Sequence, residues 1–512
     1  MSVNDGNQDF KKNSLPDGEA ESLKSETEKK RSRLRRISKN FFFHIHSPRV
    51  HPHSLKPTYT YGLGIMLAFL FLILLVTGVL LMLYYTPSVE RAYSSVKDIV
   101  FVVKGGRYIR NMHRWAGHAM VIVVFLHLLR TFYTGAYLKK RALNWNIGIG
   151  MLLAVLLLSF SGYLLPWDQL AYWAVTIGSN IAASARELTD TLNITHLFDP
   201  GGFVKKLLIG DETVGQEALT RFYMLHIVFL PVLLLVLMGW HFWRMRKDGG
   251  LSRPESEEEL IQSRAVLNEK TPGETGSHKT GLEKKKLDDV DQRIGAGKPL
   301  DTHVLAWPTL MWAELAILTL LCAALMFGAF FFDAPLLEQA NPMLPENPAK
   351  SPWYFLGVQE LVSFSGFAGG IIVPLLFIIF LASIPFKDRE DQHFGVWFSG
   401  AVGKNITLYA MLFAAVFTIT VLVINVKYGW LGEWFPGSPQ WGVIIFNPGT
   451  LLVLAYIVWS YLIWRKYRST RYAAMALFTC AVIGFVVLTA VGYWFRGPNW
   501  EFFWLKSQWP VQ

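Results

Sequence analysis

Four histidines in two long apolar stretches are the residues of this sequence best suited to chemistry. His113 and His127 lie fourteen residues apart in the first stretch. His226 and His241 lie fifteen residues apart in the second. Each stretch can cross a bilayer, because ~20 residues at ~1.5 Å per residue span ~30 Å. An ionisable side chain inside a membrane is costly, so each histidine is a candidate functional residue.

The spacing of each pair decides whether both rings lie on one helix face. Fourteen residues at ~100° each come within ~40° of four full turns, so His113 and His127 share a face, ~21 Å apart. Fifteen residues overshoot by ~60°. We expect Pro231, which removes a backbone donor and bends the helix, to bring His226 and His241 back onto one face. Antiparallel helices would then pair His113 with His226 and, nearer the other membrane face, His127 with His241. Ligation of two b-type haems by two histidines each fits this layout.

A histidine in a membrane helix can instead make a packing hydrogen bond, and for a single histidine that alternative is equally strong. Four histidines in two matched pairs favour metal ligation. His118, in contrast, lies ~140° around the helix from His113. We interpret His118 as a packing or interhelical hydrogen-bonding residue.

Two pairs of glycines repeat the fourteen-residue interval. Gly64 and Gly78 lie in the first apolar run, and Gly148 and Gly162 lie in the third. Glycine lets a flat group approach a helix backbone closely, so these pairs predict contacts with two porphyrins. Ordinary small-residue helix packing is the alternative, and the interval shared with the histidines favours haem contact.

The composition is that of a membrane protein. Of the 512 residues, 52% are hydrophobic and 14% are aromatic, with a mean hydropathy of +0.30. The net charge is +11, and many of the basic residues lie in segments beside apolar runs. The positive-inside rule explains this pattern, so the charge does not require a nucleic-acid partner. Cys322 and Cys480 lie inside apolar runs, and no CxxCH occurs, so the sequence predicts no disulfide framework and no c-type haem. The polar N-terminus has no apolar segment typical of a cleavable signal peptide.

The pattern of apolar runs predicts an all-α polytopic membrane protein with about nine spans. The predicted spans cover 59–85, 109–137, 147–165, 221–244, 305–332, 370–386, 406–426, 443–464 and 472–494. The predicted organisation is a disordered basic tail (1–40), a four-helix dihaem bundle (41–248), a charged linker (249–301), a second membrane module (302–430) and two additional spans (431–512). Basic segments adjoin alternate spans on the side of the N-terminus, so we expect that side to be cytoplasmic.

Several motifs carry a resemblance to a known family. They are MHRW at 112–115, NWNIG at 144–148, GYLLPWDQ at 162–169, VGQEALTRFY at 214–223 and HFWRMRKDG at 241–249. With both histidine pairs, these motifs make residues 59–254 resemble cytochrome b of the cytochrome bc complexes, most closely the b6f type. The fifteen-residue histidine interval is that of the b6f type. Residues 305–426 are similar, more weakly, to the subunit-IV half of that family, and the role of the last two spans is open.

The resemblance implies two non-covalent b-type haems, a quinol-oxidising pocket on the positive face and a quinone-reducing pocket on the cytoplasmic face. Arg110 and Arg114 match arginines that bind haem propionates, with snorkelling to the interface as the alternative. Arg246 matches a position near the cytoplasmic quinone pocket, with ordinary positive-inside charge as the alternative.

Two departures from the family pattern change these expectations. The b6f type attaches a further haem through a cysteine, and Gly62 stands at that position, so we expect no covalently attached third haem. The family's PEWY motif is Ser-Pro-Trp-Tyr at 351–354, with Pro352 in place of the glutamate. Quinol oxidation releases protons, so we hypothesise that Glu360 replaces the missing carboxylate and that Tyr354 lines the pocket.

The function that the resemblance implies is quinol oxidation with electrons divided between the haems and a high-potential partner. That partner would be a Rieske-type iron–sulfur protein or a c-type cytochrome. We expect menaquinone as the quinone, a homodimer, and a place in a bacterial cytoplasmic membrane. The alternative is a dihaem membrane anchor that passes electrons between quinone and another redox protein without dividing them. A third possibility, a transporter or structural membrane protein without redox chemistry, predicts that no haem is bound.

Overall fold

The computed structural model describes residues 49–50, 53, 56–248, 250–252, 254, 304–390 and 394–510. The predicted basic tail at 1–40, and all but a few residues of the predicted linker at 249–301, lie outside the described residues.

Seventeen α-helical elements are described along the chain, some with π turns inside them. In order they are α1 (Pro57–Thr60), α2 (Leu63–Met82), α3 (Ala92–Phe101), α4 (Gly106–Tyr133), α5 (Ala142–Leu164), α6 (Gln169–Ala183), α7 (Arg186–Thr191), α8 (Pro200–Ile209), α9 (Gln216–Lys247), α10 (Ala306–Phe331), α11 (Trp353–Phe364), α12 (Ala368–Lys387), α13 (Ala401–Tyr428), α14 (Leu431–Trp434), α15 (Gln440–Ile445), α16 (Pro448–Tyr467) and α17 (Thr470–Trp494). Short 3₁₀ turns cover Lys139–Arg141, Trp397–Ser399, Pro498–Trp500 and Lys506–Gln508. Strands β1 (Arg49–Val50) and β2 (Val304–Leu305) form one antiparallel pair.

Nine of the described helices are long and apolar enough to cross a membrane, which confirms the prediction of an all-α polytopic membrane protein. They are α2, α4, α5, α9, α10, α12, α13, α16 and α17. Only 17% of the most apolar window of α2 is buried inside the protein, although its mean hydropathy is 3.0. The protein's own core therefore covers only a small part of this apolar helix, as suits a membrane span that satisfies its backbone polar groups internally.

The first four spans, α2, α4, α5 and α9, form a bundle. α2 packs along α4 and α5 packs along α9. Their facing residues form one buried core that includes Leu70, Val121, Val155 and Leu234. This core holds the four helices that carry the histidines and the paired glycines.

A π turn in α9 explains how fifteen residues can separate two histidines that face the same helix. Residues Leu225–Phe229 form this turn, which takes one residue more than an α turn. The extra residue brings the effective spacing of His226 and His241 to fourteen, as in α4. Pro231 lies just after the turn and has no N–H to donate. The predicted correction of the helix phase thus lies in the turn before the proline.

The connection between α5 and α9, in which the sequence predicts no span, contains three short helices, α6, α7 and α8. Asp168 caps α6 by accepting a hydrogen bond from the backbone of Ala171, and Asp199 caps α8 with Pro200 at the first helical position. With α3, these helices cover one end of the bundle around Trp167.

The later spans form a second helical module. α13, α16 and α17 pack on one another, and α17 also packs on α11. Their shared core includes Ala410, Ala414, Leu452 and Ala476. The last two spans therefore share a core with α13, and the predicted domain boundary at 430 stays a prediction.

A buried polar cluster ties the last span to the bundle. Arg471, in the first turn of α17, is 2% exposed, and its Nε donates to Asp388 Oδ2 at 2.9 Å. The hydroxyl of Tyr137, just after α4, donates to the same oxygen at 2.8 Å. The end of α4, the end of α12 and the start of α17 therefore lie on one face of the membrane. We call this the His127 face and the opposite one the His113 face.

Candidate functional site

The four histidines form two pairs between α4 and α9. The rings of His113 and His226 have centroids 6.2 Å apart and planes inclined at 74°. His127 and His241 form the second pair and are close enough to interact electrostatically. This pair lies nearer the His127 face. The structure brings together the residues that the spacing pairs.

Hydrogen bonds fix the ring orientations of the first pair. The hydroxyl of Thr77 lies 2.9 Å from His113 Nδ1. His226 Nδ1 donates to the carbonyl of Leu158 at 3.1 Å and lies 3.3 Å from the hydroxyl of Ser161. A histidine held at Nδ1 presents Nε2 to a metal.

Each of the four glycines singled out in the sequence lies against one of the four histidines. The pairs are Gly64 with His127, Gly78 with His113, Gly148 with His241, and Gly162 with His226. A Cβ at Gly162 would come within 2.5 Å of His226 Cε1, and one at Gly78 within 3.3 Å of His113 Cε1. At the other two glycines the corresponding distances are 3.6 and 3.7 Å. The glycines therefore leave room for an imidazole ring beside the helix backbone, most critically at Gly162.

A cavity of about 280 Å³ surrounds the first histidine pair. Residues of the four bundle helices line it, and Tyr354 of α11 closes one side. Because it contains His113 and His226 as well as Gly78 and Gly162, the cavity adjoins both the predicted ligands and the glycines beside them.

Arg110 and Arg114 line this cavity and also hold other parts of the structure. Arg110 Nη1 and Nη2 donate to the carbonyls at 334 and 335, at 2.8 and 2.7 Å. Arg114 Nε donates to His118 Nε2 at 3.0 Å. Both side chains place positive charge at the edge of the cavity, and their role toward haem propionates stays a prediction.

The loop before α11 is fastened to the bundle by the Pro-Trp-Asp-Gln segment. Asp168 Oδ2 accepts from the backbone N–H of Leu337 at 3.0 Å. Gln169 Nε2 donates to the carbonyl of Leu344 at 2.9 Å. This role of the segment could not be predicted from the sequence, because its partners lie about 170 positions away and leave no local signal. These bonds help to determine where α11 begins.

α11 presents the altered loop motif to the cavity. Tyr354 is 6% exposed, and burial raises the pKa of its phenol to about 12, so the hydroxyl is protonated at neutral pH. Trp353 Nε1 donates to His118 Nδ1 at 2.9 Å. The first turn of α11 thus contacts both the cavity and α4.

Glu360 lies about two turns further along α11, outside the cavity lining. Its fully buried carboxylate accepts from Arg496 Nε at 3.1 Å through both oxygens and also pairs with Nη2 of the same residue. Trp500 Nε1 donates to Glu360 Oε2 at 3.0 Å. The burial agrees with the hypothesis for Glu360, but both oxygens are engaged by the C-terminal segment. This contact supports a structural role, and the proton-acceptor role stays a prediction.

The resemblance also implies roles for Gly62 and Arg246. Gly62 has φ +62°, a left-handed backbone conformation that favours glycine, and a Cβ there would also displace the end of the Ile317 side chain. The expectation of no covalently attached third haem stays a prediction. Arg246 lies exposed in the last turn of α9, at the His127 face, and its place near a quinone pocket also stays a prediction.

Comparisons with known proteins identify the first module. The family model Cytochrome b/b6/petB matches residues 49–249. Cytochrome b6 of Heliobacterium mobile is 41% identical over 174 residues, 34% of this chain and 76% of that protein. The chain belongs to the cytochrome b/b6 family. Cytochrome b6 of Prochlorococcus marinus (strain NATL1A) is 40% identical over 173 residues, 34% of this chain and 74% of that protein.

A solved structure extends the likeness of fold to the second module. A chain of a hyperthermophilic respiratory Complex III matches with a TM-score of 0.56, over 91% of this chain and 97% of that chain. At 22% identity, the match shows the fold alone.

Membership of the cytochrome b family implies b-type haem, and the residues of the histidine pairs fit it. Within the described ranges, no group of three or more His, Cys, Asp or Glu is placed to hold a bare metal ion. Two imidazoles suffice for haem iron, because the macrocycle supplies the other four ligands. A glycine lies beside each ring, and the cavity around the first pair leaves space there for a flat group.

Proposed function

We propose that this cytochrome b holds two non-covalent b-type haems and passes electrons across the membrane within a quinol-oxidising bc-type complex. The observation that carries this proposal is the pairing of four histidines between α4 and α9, nearer opposite faces. A bound haem can accept and release one electron at its iron. The four histidines would hold the two haems, and the glycine beside each histidine would leave room for the macrocycle.

The cavity around His113 and His226 supports quinol oxidation at the His113 face. Tyr354 lines it with a protonated hydroxyl that can donate to a ring oxygen. Arg110 and Arg114 would attract the propionates of the haem at this pair. A quinol oxidised here would release two protons and two electrons, and the group held by the first histidine pair and a high-potential partner would each take one electron. That partner would be a Rieske-type iron–sulfur protein or a c-type cytochrome in a multisubunit complex.

The distribution of basic residues supports an orientation in the membrane. Four basic segments adjoin the ends of spans on the His127 face, at 139–141, 244–247, 387–389 and 465–468. By the positive-inside rule this face is cytoplasmic, in a bacterial inner membrane, with the N-terminus on the same side. A quinone-reducing pocket near Arg246, menaquinone as the quinone and a homodimeric complex complete the proposal.

A redox titration of the purified complex, with haem quantified per chain, tests this function. We expect two non-covalent b haems in the wild type and in His196→Gln, which changes an exposed loop histidine. We expect His113→Leu to hold one haem fewer. Extra haem reduction by a menaquinol analogue when the high-potential partner is oxidised would support divided electron transfer. Fewer than two haems in the wild type would refute the pairing.

A second candidate is a dihaem anchor that passes electrons between quinone and a multihaem cytochrome without dividing them. Two observations favour the anchor. Pro352 replaces the carboxylate of the loop motif, and the carboxylate of Glu360 is already paired with Arg496, so neither residue offers a proton acceptor beside Tyr354. Two haems without oxidant-induced reduction would support this candidate over the first.

A further inference from the structure

The segment that follows α17 forms a short hairpin. The N–H of Phe503 donates to the carbonyl of Phe495 at 2.8 Å. Nearer the tip, the N–H of Gly497 donates to the carbonyl of Glu501 at 2.9 Å. We call residues 495–503 the C-terminal hairpin. It extends directly from the last span, one of the two spans whose role the sequence leaves open.

The tip of the hairpin has an uncommon backbone conformation. Asn499 has φ +55° and Trp500 has φ +61°, in the left-handed region that asparagine adopts far more readily than tryptophan. This conformation costs free energy at Trp500, so its contacts must hold it in place. Trp500 Nε1 donates to Glu360 Oε2 at 3.0 Å, and Arg496 Nη1 donates to the carbonyl of Trp500 at 2.8 Å. Since Arg496 also pairs with Glu360, the tip, the arginine and α11 are bound to one another.

The same part of the chain also holds the loop that precedes α11. The backbone N–H of Asn499 donates to Asn347 Oδ1 at 2.6 Å, and Asn347 Nδ2 donates to Asn499 Oδ1 at 3.0 Å. Lys350 Nζ donates to the carbonyl of Tyr493, at the end of α17, at 3.0 Å. The first turn of α11 therefore lies between two segments that both contact the C-terminal part of the chain.

α17 supports α11 from the side opposite the bundle. Trp353 and Tyr354 contact α4 and the cavity at the start of α11. One turn later, Gly357 lies against α17, where a Cβ would come within 2.7 Å of the Phe485 ring and 2.8 Å of Thr489 Oγ1. The glycine permits this close approach. α11 is thus enclosed between the bundle on one side and α17 with its hairpin on the other.

We propose that the C-terminal hairpin holds α11 in place and thereby fixes the wall that Tyr354 gives to the cavity around the first histidine pair. Arg496 and Trp500 are positioning residues, because they act through Glu360 and are not among the residues that line the cavity. Glu360 follows Tyr354 by six residues, ~9 Å along one continuous helix, so a shift at the carboxylate moves the tyrosine too. The effect on the group held by the histidine pair rests on the proposed function.

Hydrogen–deuterium exchange of the purified complex, followed by mass spectrometry, measures how firmly α11 is held. We expect Arg496→Met to speed exchange of the α11 amides at least ~10-fold, because the buried carboxylate loses its main donor. The increase should be smaller in α13, since a loss of overall stability alone would affect both helices alike. Glu501→Gln, at an exposed glutamate of the hairpin, is the matched control and should keep the wild-type exchange.

A redox titration of the two haems measures the effect on the cavity. Water that enters beside the first histidine pair favours the charged, oxidised iron. We therefore expect one midpoint potential to fall in Arg496→Met and the other to keep its wild-type value. Trp500→Phe keeps the ion pair and removes one donor to Glu360, so the same two changes should occur at a smaller size. This variant decides the test if Arg496→Met fails to assemble.

Three results would each overturn the inference. They are wild-type exchange in α11 of both variants, an equal increase in α11 and α13, and two unchanged midpoint potentials. The proposed function fails separately, if the wild type holds fewer than two haems. Faster exchange confined to α11 would in that case still support the role of the hairpin.

Discussion

Breaking the ion pair between Glu360 and Arg496 should destabilise the protein by several kcal/mol. The side chains are 0% and 8% exposed, so water does not screen the pair. Arg496→Met leaves the carboxylate buried without its cation, and removing one partner of such a pair costs ~3–5 kcal/mol. A cooperative unit of ~200 residues has an unfolding entropy of ~0.4 kcal/mol/K, so a loss of ~4 kcal/mol lowers the Tm by ~10 °C.

Thermal unfolding of the purified complex, followed by circular dichroism and by loss of haem absorbance, measures this change. The double variant Glu360→Gln/Arg496→Met removes both charges, and a glutamine can still accept from Trp500. We expect it to recover most of the lost stability, because neutral groups replace a buried ion pair at little cost. Glu501→Gln, at an exposed glutamate of the same segment, is the matched control and should keep the wild-type Tm.

An unchanged Tm in Arg496→Met, or a double variant as unstable as the single one, would refute this reasoning. The double variant also tests the proton-acceptor hypothesis for Glu360. If the Tm returns and quinol oxidation is lost, that hypothesis gains support. If both return, Glu360 has only the structural role.

Three further predictions concern the haem sites and the second ion pair. His127→Leu should leave one b haem per chain instead of two, measured by a haem assay on the purified complex. Gly162→Ala should lower haem occupancy much more than Gly64→Ala, because the added carbon meets an imidazole at 2.5 Å in the first case and 3.6 Å in the second. Asp388→Asn should lower the free energy of unfolding by ~3 kcal/mol, because it removes the carboxylate that is ion-paired with the buried guanidinium of Arg471, and thermal unfolding checks this.

The spans and the histidine pairing could be predicted because both depend on local periodicity. A membrane helix must be long and apolar, and its period fixes which residues share a face. The predicted spans accordingly differ from the observed helices by a few residues at their ends, as at α5, predicted from 147 and observed from Ala142. The π turn at Leu225–Phe229 was not predicted, because a fifteen-residue interval shows that the phase must be corrected but not where.

Contacts between distant parts of the chain could not be predicted, because they have no period and no local motif. Glu360 and Arg496 are 136 positions apart. The sequence indicates a carboxylate at the edge of an apolar stretch, which suits a proton acceptor as well as an ion pair. The hydrogen bond from Trp353 to His118 could not be predicted for the same reason, since the two residues are 235 positions apart.

The last span, α17, is held at both membrane faces, and this gives one of the two additional helices a role. Arg471 is bound to Asp388 at the His127 face, and Arg496 is bound to Glu360 at the His113 face. α11 is consequently fixed at two points, by Trp353 against α4 and by Glu360 against the C-terminal segment. A helix fixed twice cannot slide along its axis, and a binding site requires its groups to be held to within ~0.5 Å. The C-terminal segment is therefore placed to fix α11 beside the cavity, and we expect changes at Arg496, which does not line the cavity, to alter quinone binding.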